Sequence, residues 1–271
     1  MRSPGIFALG LIATAFFTPA QARTVSAVIA SDYRDNEPFR LANPIGDGRK
    51  IADALRRIGL SDVIVEENAS ASEIYAQLDK MLATMTAEDV AIVYFAGHAI
   101  QAEGRNFLLV GDGLSLIPLD QLLQRFLSKA KGVIFVVDAC RNNPLKSASG
   151  PEPDVMEVSG QSLQKSRSIS LEQLIEAPPG LSQMSDLRGL SAVVIFSTEP
   201  GNVAYDGEAG KGGPFASALA AELIRKQTVD NMFRAVAKRV SKSTQGSQIP
   251  WRQGDLAFDY YLAGKPHFPV P

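Results

Sequence analysis

A chain of 271 residues with 27 basic and 29 acidic side chains carries a formal net charge of −2, and 45% of it is hydrophobic. That balance lacks the basic excess that nucleic acid or an anionic membrane surface calls for, and the length suits one large domain or one domain with a long insertion. Two histidines and one cysteine, with no ligand-spaced pair, argue against zinc, so no metal site is expected.

Residues 1–22 read as a secretory signal peptide, with Arg2 as the positive start, residues 6–17 as the apolar core and Pro19-Ala20-Gln21-Ala22 as an Ala-x-Ala cleavage site. The apolar stretch is shorter than the ~20 residues a membrane span needs. No cysteine follows the cleavage site to carry a lipid, no twin arginine is present, and no later apolar run reaches spanning length. The expected product is therefore soluble, periplasmic or secreted, and spans residues 23–271. In an exported chain one unpaired cysteine is either an intermolecular bridge or a free reactive thiol. The alternative for Cys140 is a small buried hydrophobe.

In chain order, residues 24–30 form a first strand, and residues 31–44 a polar loop leading into Gly46-Asp47-Gly48. Ile51, Ala54, Leu55 and Ile58 recur at helical spacing over residues 49–58, and Gly59 ends that helix. Residues 62–66 are a short second strand. Ser70 caps a helix to about Met85, with Glu73 completing the capping-box pattern and Ile74, Leu78, Met81, Leu82 and Met85 as its apolar face. The run at 89–96 is a strand ending in a Gly97-His98-Ala99 turn, followed by a hairpin signal over 100–110. A helix at 118–127 precedes a fully apolar strand that ends at Asp138-Ala139-Cys140 and is closed by Pro144. Residues 145–190, rich in Pro, Ser and Gln, are a long surface insertion with at most one helix, at 170–175. Residues 191–196 are a fifth buried strand, helices follow at 214–226 and 231–241, and a last strand lies near 256–262. No internal repeat is present. The alternation predicts a parallel sheet with helices on both faces, with the strands ending at His98 and Cys140 as neighbours.

In such sheets ligands bind beyond the carboxyl ends of the strands, where Cys140 and His98 both fall. A thiol with pKa near ~8.5 needs a base or a positive environment to act as a nucleophile; His98 supplies proton transfer if it lies across the strand ends, the alternative being a half-buried loop histidine. An acyl-transfer cysteine also needs donors for a developing oxyanion, and the backbone N–H groups of Cys140 and of the 97–99 turn are in reach. His267, in a proline-rich tail, is incidental. Gly-x-Ser-x-Gly, P-loop and dinucleotide patterns are absent, and Gly210-Lys-Gly-Gly213 reads as a flexible loop.

The blocks Val-Tyr-Phe-Ala-Gly-His-Ala (93–99) and Val-Val-Asp-Ala-Cys-Arg-Asn-Asn-Pro (136–144) resemble the histidine and cysteine blocks of the caspase-like cysteine peptidases, in particular the bacterial metacaspase- or orthocaspase-like branch. Further likeness lies in Asn43-Pro-Ile-Gly-Asp47, Gly104-Arg-Asn-Phe-Leu108, Ser197-Thr-Glu-Pro-Gly201 and Asp206-Gly207, so it runs from about Val25 to Leu262. The resemblance implies an α/β caspase–haemoglobinase fold, a three-layer sandwich on a mostly parallel six-stranded sheet. It implies Cys140 as nucleophile through a thioester acyl-enzyme, His98 as general acid/base, and the N–H groups of Ala99 and Cys140 at the oxyanion. Asp47 and Asp138 fall on pocket-lining positions of metacaspase-like members, and Asp206 stands where aspartate-specific animal caspases carry arginine. An acidic pocket pairs Arg or Lys on desolvation, so cleavage after basic residues is expected. The alternative for Asp138 and Asp206 is a local one, caps or turn residues binding backbone N–H groups.

Ala99 departs from the family, which has glycine there. If that residue needs positive φ, its Cβ costs roughly 1–2 kcal/mol. That motivates a second reading, an inactive caspase-like module binding peptides or protein partners. A redox thiol protein is a third reading, which lacks a resolving cysteine. No cofactor is expected, and a calcium requirement finds no carboxylate support in residues 141–149. The insertion matches a region that often carries self-cleavage in the family, with Lys146, Lys165, Arg167 and Arg188 as basic candidates, the alternative being an unprocessed loop. The implied partner is a peptide or protein substrate. Nucleic acid and a membrane span are not expected, and the sequence does not set the oligomeric state.

Overall fold

The computed structural model describes residues 23–102, 105–111, 115–140, 155–158, 169–170, 187–200, 202 and 204–264. The leader, His267, Lys146, Lys165, Arg167 and most of the 145–190 insertion lie outside them. The first strand, β1 (Thr24–Ala30), is buried from Val25 onward. The helix after it, α1 (Pro44–Arg57), starts five residues earlier than the apolar spacing indicates. Pro44 opens it with a φ already set for a helix. Glycines 46 and 48, turn-like in sequence, fall inside it. A Cβ on Gly48 would lie 2.9 Å from the Ala30 Cβ, so glycine is what lets α1 pack tightly on β1. Asp47 is consequently a first-turn helix residue, not a loop residue.

The chain continues through β2 (Val63–Glu67) and α2 (Ala71–Thr84), whose Ser70 and Glu73 form the expected reciprocal capping box. β3 (Val90–Ala102) runs on through Gly97-His98-Ala99, which is strand and not turn. The expected hairpin forms with β4 (Arg105–Val110), and β5 (Ser115–Pro118) and α3 (Leu119–Leu127) follow. β6 (Gly132–Cys140), β7 (Val155–Val158) and β8 (Ile169–Ser170) come next, so Ser170 ends a strand where a helix was expected to begin. β9 (Ala192–Phe196), α4 (Pro214–Leu223), α5 (Val229–Ser243) and β10 (Trp251–Asp255) complete the described elements.

The central sheet has the order β2-β1-β3-β6-β9-β10, parallel except for β10, which runs against β9. A side branch, β4, β5, β7 and β8, grows from the carboxyl half of β3. The last strand is therefore 251–255, not 256–262. Trp-Arg-Gln-Gly-Asp carries no apolar run, and β10 is an edge strand. Trp251 stacks on Phe196 at 5.5 Å, while Leu256, Phe258 and Tyr260 pack against the core without a ladder.

Period-2 alternation sorts the strand residues to two faces. Ala91, Val93, Phe95, Val133, Phe135 and Val137 pack with Ile74, Leu78, Leu122 and Phe126 of α2 and α3. Ile92, Tyr94, Ala96, Ile134 and Val136 pack with Ile51, Leu55, Phe215, Leu219, Met232 and Val236 of α1, α4 and α5. Three layers result, the architecture of the caspase–haemoglobinase fold. The chain leaves β1 toward β2 on one side and β3 extends the sheet on the other. The crevice of such a sheet opens at that reversal, beyond the carboxyl ends of β1 and β3. Among the described residues no helix is long and apolar enough to cross a membrane.

Candidate active site

The β3–β6 ladder stays in register from Val90 opposite Gly132 to His98 opposite Cys140. Adjacent strands lie ~4.8 Å apart, so the two backbones carrying the imidazole and the lone thiol are neighbours at the rim of the sheet. Ala99, one step further, pairs with Leu108 of β4. It is not among the residues with positive φ, so the strain that its Cβ would cause does not arise. The glycine that matters is Gly97, with φ +155, where a Cβ would lie 2.6 Å from the Tyr33 hydroxyl. Gly97→Ala is expected to lower stability by about 1–3 kcal/mol, measured as an earlier urea midpoint.

His98 is 6% exposed. Its Nε2 lies 2.7 Å from the Phe39 carbonyl oxygen. A carbonyl can only accept, so Nε2 carries the proton and Nδ1 keeps its lone pair. Nδ1 is buried and has no hydrogen-bond partner among the described residues. Burial lowers the imidazole pKa to about 4, with the Phe39 bond opposing. The ring is therefore neutral at neutral pH, with its lone pair on Nδ1.

This burial links His98 to stability. The unfolded ring titrates near 6.5 and the folded one near 4, so between those values the unfolded chain binds more protons. Stability is expected to fall by about 3 kcal/mol as pH drops through that window. Asp138, raised to about 7, acts in the opposite sense and disfavours the fold as pH rises from 3.8 toward 7. The His98 contribution is thus the difference in urea stability between wild type and His98→Gln, which should widen steadily from pH 6.5 to 4 in the variant's favour.

The three acidic residues named from the sequence line one pocket beside Gly97, together with Leu41, Pro44 and Tyr205. Asp47, 3% exposed, accepts from the Gly213 N–H at 2.8 Å through Oδ2. Its Oδ1 lies 3.2 Å from Lys50 Nζ, which also reaches Ser217 Oγ at 3.0 Å. Burial raises the Asp47 pKa and the Asp206 charge adds to this, against the Gly213 and Lys50 contacts. Asp206, half-buried, accepts from the Ala42 N–H at 3.0 Å, and burial raises its pKa too. Asp138 lies within β6 and not in a turn, and its Oδ2 accepts from the Tyr94 hydroxyl at 2.8 Å. Burial first, then the Asp47 charge, pushes its pKa up to about 7. Like charges in one desolvated space resist ionising together, and Lys50 is the cation already beside Asp47.

Gly210-Lys-Gly-Gly213 forms part of this construction and is not merely a flexible loop. Asn43 Oδ1 accepts from the Gly210 N–H at 2.8 Å, its Nδ2 donates to the Asp206 carbonyl at 2.7 Å, and Asp47 holds Gly213. A Cβ on Gly212 would lie 2.5 Å from Asp47 Oδ1, so the loop can wrap the start of α1 only with glycine there. Tyr33, Phe39, Tyr94 and Lys50 complete the site, and no sequence pattern singles them out. Just past β9, the Ser197 hydroxyl bears on the Asp138 carboxyl and opposes the rise in its pKa, and Thr198 Oγ1 is buried without a hydrogen-bond partner among the described residues. No group of three or more His, Cys, Asp or Glu that could hold a metal occurs among the described residues.

The family model described as a caspase domain matches residues 24–261. The chain belongs to the caspase-domain family. Members of that family are cysteine peptidases, so a peptide or protein substrate follows from membership. The caspase domain seen here is similar in fold to the crystal structure of caspase-1 from Spodoptera frugiperda, with a TM-score of 0.61 and 16% identity over 91% of this chain and 93% of that one. A structural-genomics protein from Geobacter sulfurreducens gives a TM-score of 0.59 at 14% identity, covering 92% and 96%. The Drosophila initiator caspase Dronc gives 0.54 at 9%, covering 89% and 81%. At these identities the likeness concerns the fold. No curated protein matches the chain.

Proposed function

We propose that this caspase domain is a cysteine endopeptidase that cuts after Arg or Lys, with Cys140 as nucleophile and His98 as its acid/base partner. The observation that carries the reading is the register of β3 and β6, which pairs His98 with Cys140 at the rim, beside a pocket with three carboxylates. The pocket takes the basic side chain of the residue before the cleaved bond. A guanidinium or ammonium there offsets the mutual repulsion of Asp47, Asp138 and Asp206 and is itself paired on desolvation.

In the reaction, His98 Nδ1 takes the thiol proton as Cys140 Sγ attacks the carbonyl carbon. The buried imidazole resists protonation and is neutral at rest, and in this reading the proton moves to it during attack. Backbone N–H groups of the rim, those of Ala99 and Cys140 in this reading, face the oxyanion. Collapse of the tetrahedral intermediate breaks the C–N bond, His98 returns the proton to the leaving amine, and a thioester remains. Water then attacks the thioester, giving its proton to Nδ1, and the thiol is regenerated.

The reading of an inactive peptide-binding module loses its motive, since Ala99 sits at ordinary strand φ. Export of residues 23–271 after removal of the leader is part of the proposal, and amino-terminal sequencing of secreted material starting at Arg23 is its test. Purified protein incubated with fluorogenic peptides ending in Arg, Lys or Asp tests the activity. Turnover of the basic pair alone, absent in Cys140→Ala, is expected, and turnover of the Asp peptide alone would contradict the pocket assignment. Cleavage within 145–190 after Lys146, Lys165, Arg167 or Arg188 would appear in the intact mass of aged active protein and not in Cys140→Ala.

A further inference from the structure

His98 rests against a residue to which the reaction above gives no part. Tyr33 is 1% exposed and adopts φ +53, a conformation that a non-glycine residue keeps only where its surroundings impose it. Its hydroxyl accepts from the His98 backbone N–H at 2.8 Å and donates to the Leu109 carbonyl at 2.6 Å, tying β3 to β4. Its ring stacks on the imidazole with centroids 4.8 Å apart and planes 26° apart. Gly97 provides the clearance for that hydroxyl. Phe39, six residues on in the same connection between β1 and α1, supplies the carbonyl at Nε2.

We propose that Tyr33 is a positioning residue for His98, whose stacked ring fixes the imidazole plane so that Nε2 stays on the Phe39 carbonyl and Nδ1 is left as the base. The consequence for catalysis rests on the peptidase reading, whereas the geometry does not. Without the stack the imidazole is free to rotate off the Phe39 carbonyl, and the tautomer is no longer imposed. The tyrosine face also stabilises the imidazolium formed during attack, as an aromatic face does for any apposed cation. An aromatic that merely fills the core would support the fold and leave the tautomer alone, which separates the two roles.

The test uses the full chain carrying Cys140→Ala and 15N-labelled histidine, with the His98 signals identified as those lost in His98→Gln. The wild-type ring should show a protonated Nε2 and an unprotonated Nδ1. Tyr33→Leu should show shifts averaged between the two tautomers, and Tyr33→Phe, which keeps the stack, should stay near wild type. With Cys140 restored, Tyr33→Leu should lower kcat by about 10- to 100-fold with KM within about twofold, and Tyr33→Phe should recover most of the loss. A proton on Nδ1 in the wild-type ring overturns the proposal without any variant. An unchanged tautomer in Tyr33→Leu overturns it as well. If wild type hydrolyses no peptide, the peptidase reading fails, while the nitrogen shifts still decide whether Tyr33 sets the ring.

Discussion

The double variant Cys140→Ala/His98→Ala is expected to hydrolyse arginyl peptides no more slowly than Cys140→Ala alone. Singly, loss of the thiol should lower kcat/KM by at least about 10³-fold and loss of the imidazole by about 10²- to 10⁴-fold. Groups with separate tasks would give losses that multiply. Here the proton leaving Sγ is the one that Nδ1 receives, so once either atom is gone the other has nothing to do. The lone pair of Nδ1, without a hydrogen-bond partner among the described residues, and the pairing of His98 with Cys140 motivate this expectation. Steady-state rates of the four proteins measure it, and losses that multiply would show that the two residues act apart.

Asp138→Asn should remove most of the preference for basic peptides. In the free protein the Asp138 carboxyl, raised to about 7 by burial and by Asp47, is partly protonated at neutral pH. As pH rises through that value it ionises and the pocket becomes a better partner for a guanidinium. kcat/KM on an arginyl peptide should therefore rise through pH about 7, while kcat, which reports the bound state, should have its limb at lower pH because the guanidinium favours the carboxylate. In Asp138→Asn that limb vanishes and kcat/KM falls by about 10- to 100-fold, mainly through KM, for the loss of one charged hydrogen bond of about 1.5–3 kcal/mol. Tyr94, the hydroxyl donor to Asp138, stays in place in the variant and can still donate to the amide oxygen. Unchanged Arg-over-Asp selectivity in Asp138→Asn would remove the carboxylate from the specificity pocket.

The strands that carry the candidate dyad were legible because both their faces are buried. Residues 90–96, 133–137 and 192–196 are apolar throughout, and each sends alternate side chains into one or the other of the two helical layers. The edge strand Trp251–Asp255 carries no such mark and stays illegible in the sequence, whereas β2 at the other edge keeps the apolar run Val63-Ile64-Val65. The start of α1 was hidden by composition. Asn43, Gly46 and Gly48 look like a turn, yet Asn43 is spent on the 206–212 loop and Gly48 on close packing against β1. His98 and Cys140 stood out by scarcity and by their position at strand ends. The acidic pocket depended on the family likeness, since Asp47, Asp138 and Asp206 are far apart in sequence and meet only through the fold. Tyr33 and Phe39 could not be seen at all, because their task is defined by contact with His98 across the sheet rim.

The central claim is that one thiol, activated by one imidazole, meets basic substrates at an acidic pocket. Intact-mass analysis after exposure to an arginyl chloromethyl ketone tests it most directly, with His98→Ala and the aspartyl reagent alongside. The account predicts a single adduct, mapped to Cys140, that forms with the arginyl reagent and is strongly slowed in His98→Ala and with the aspartyl one. Failure of Cys140 to react, or equal labelling by both reagents, would contradict it.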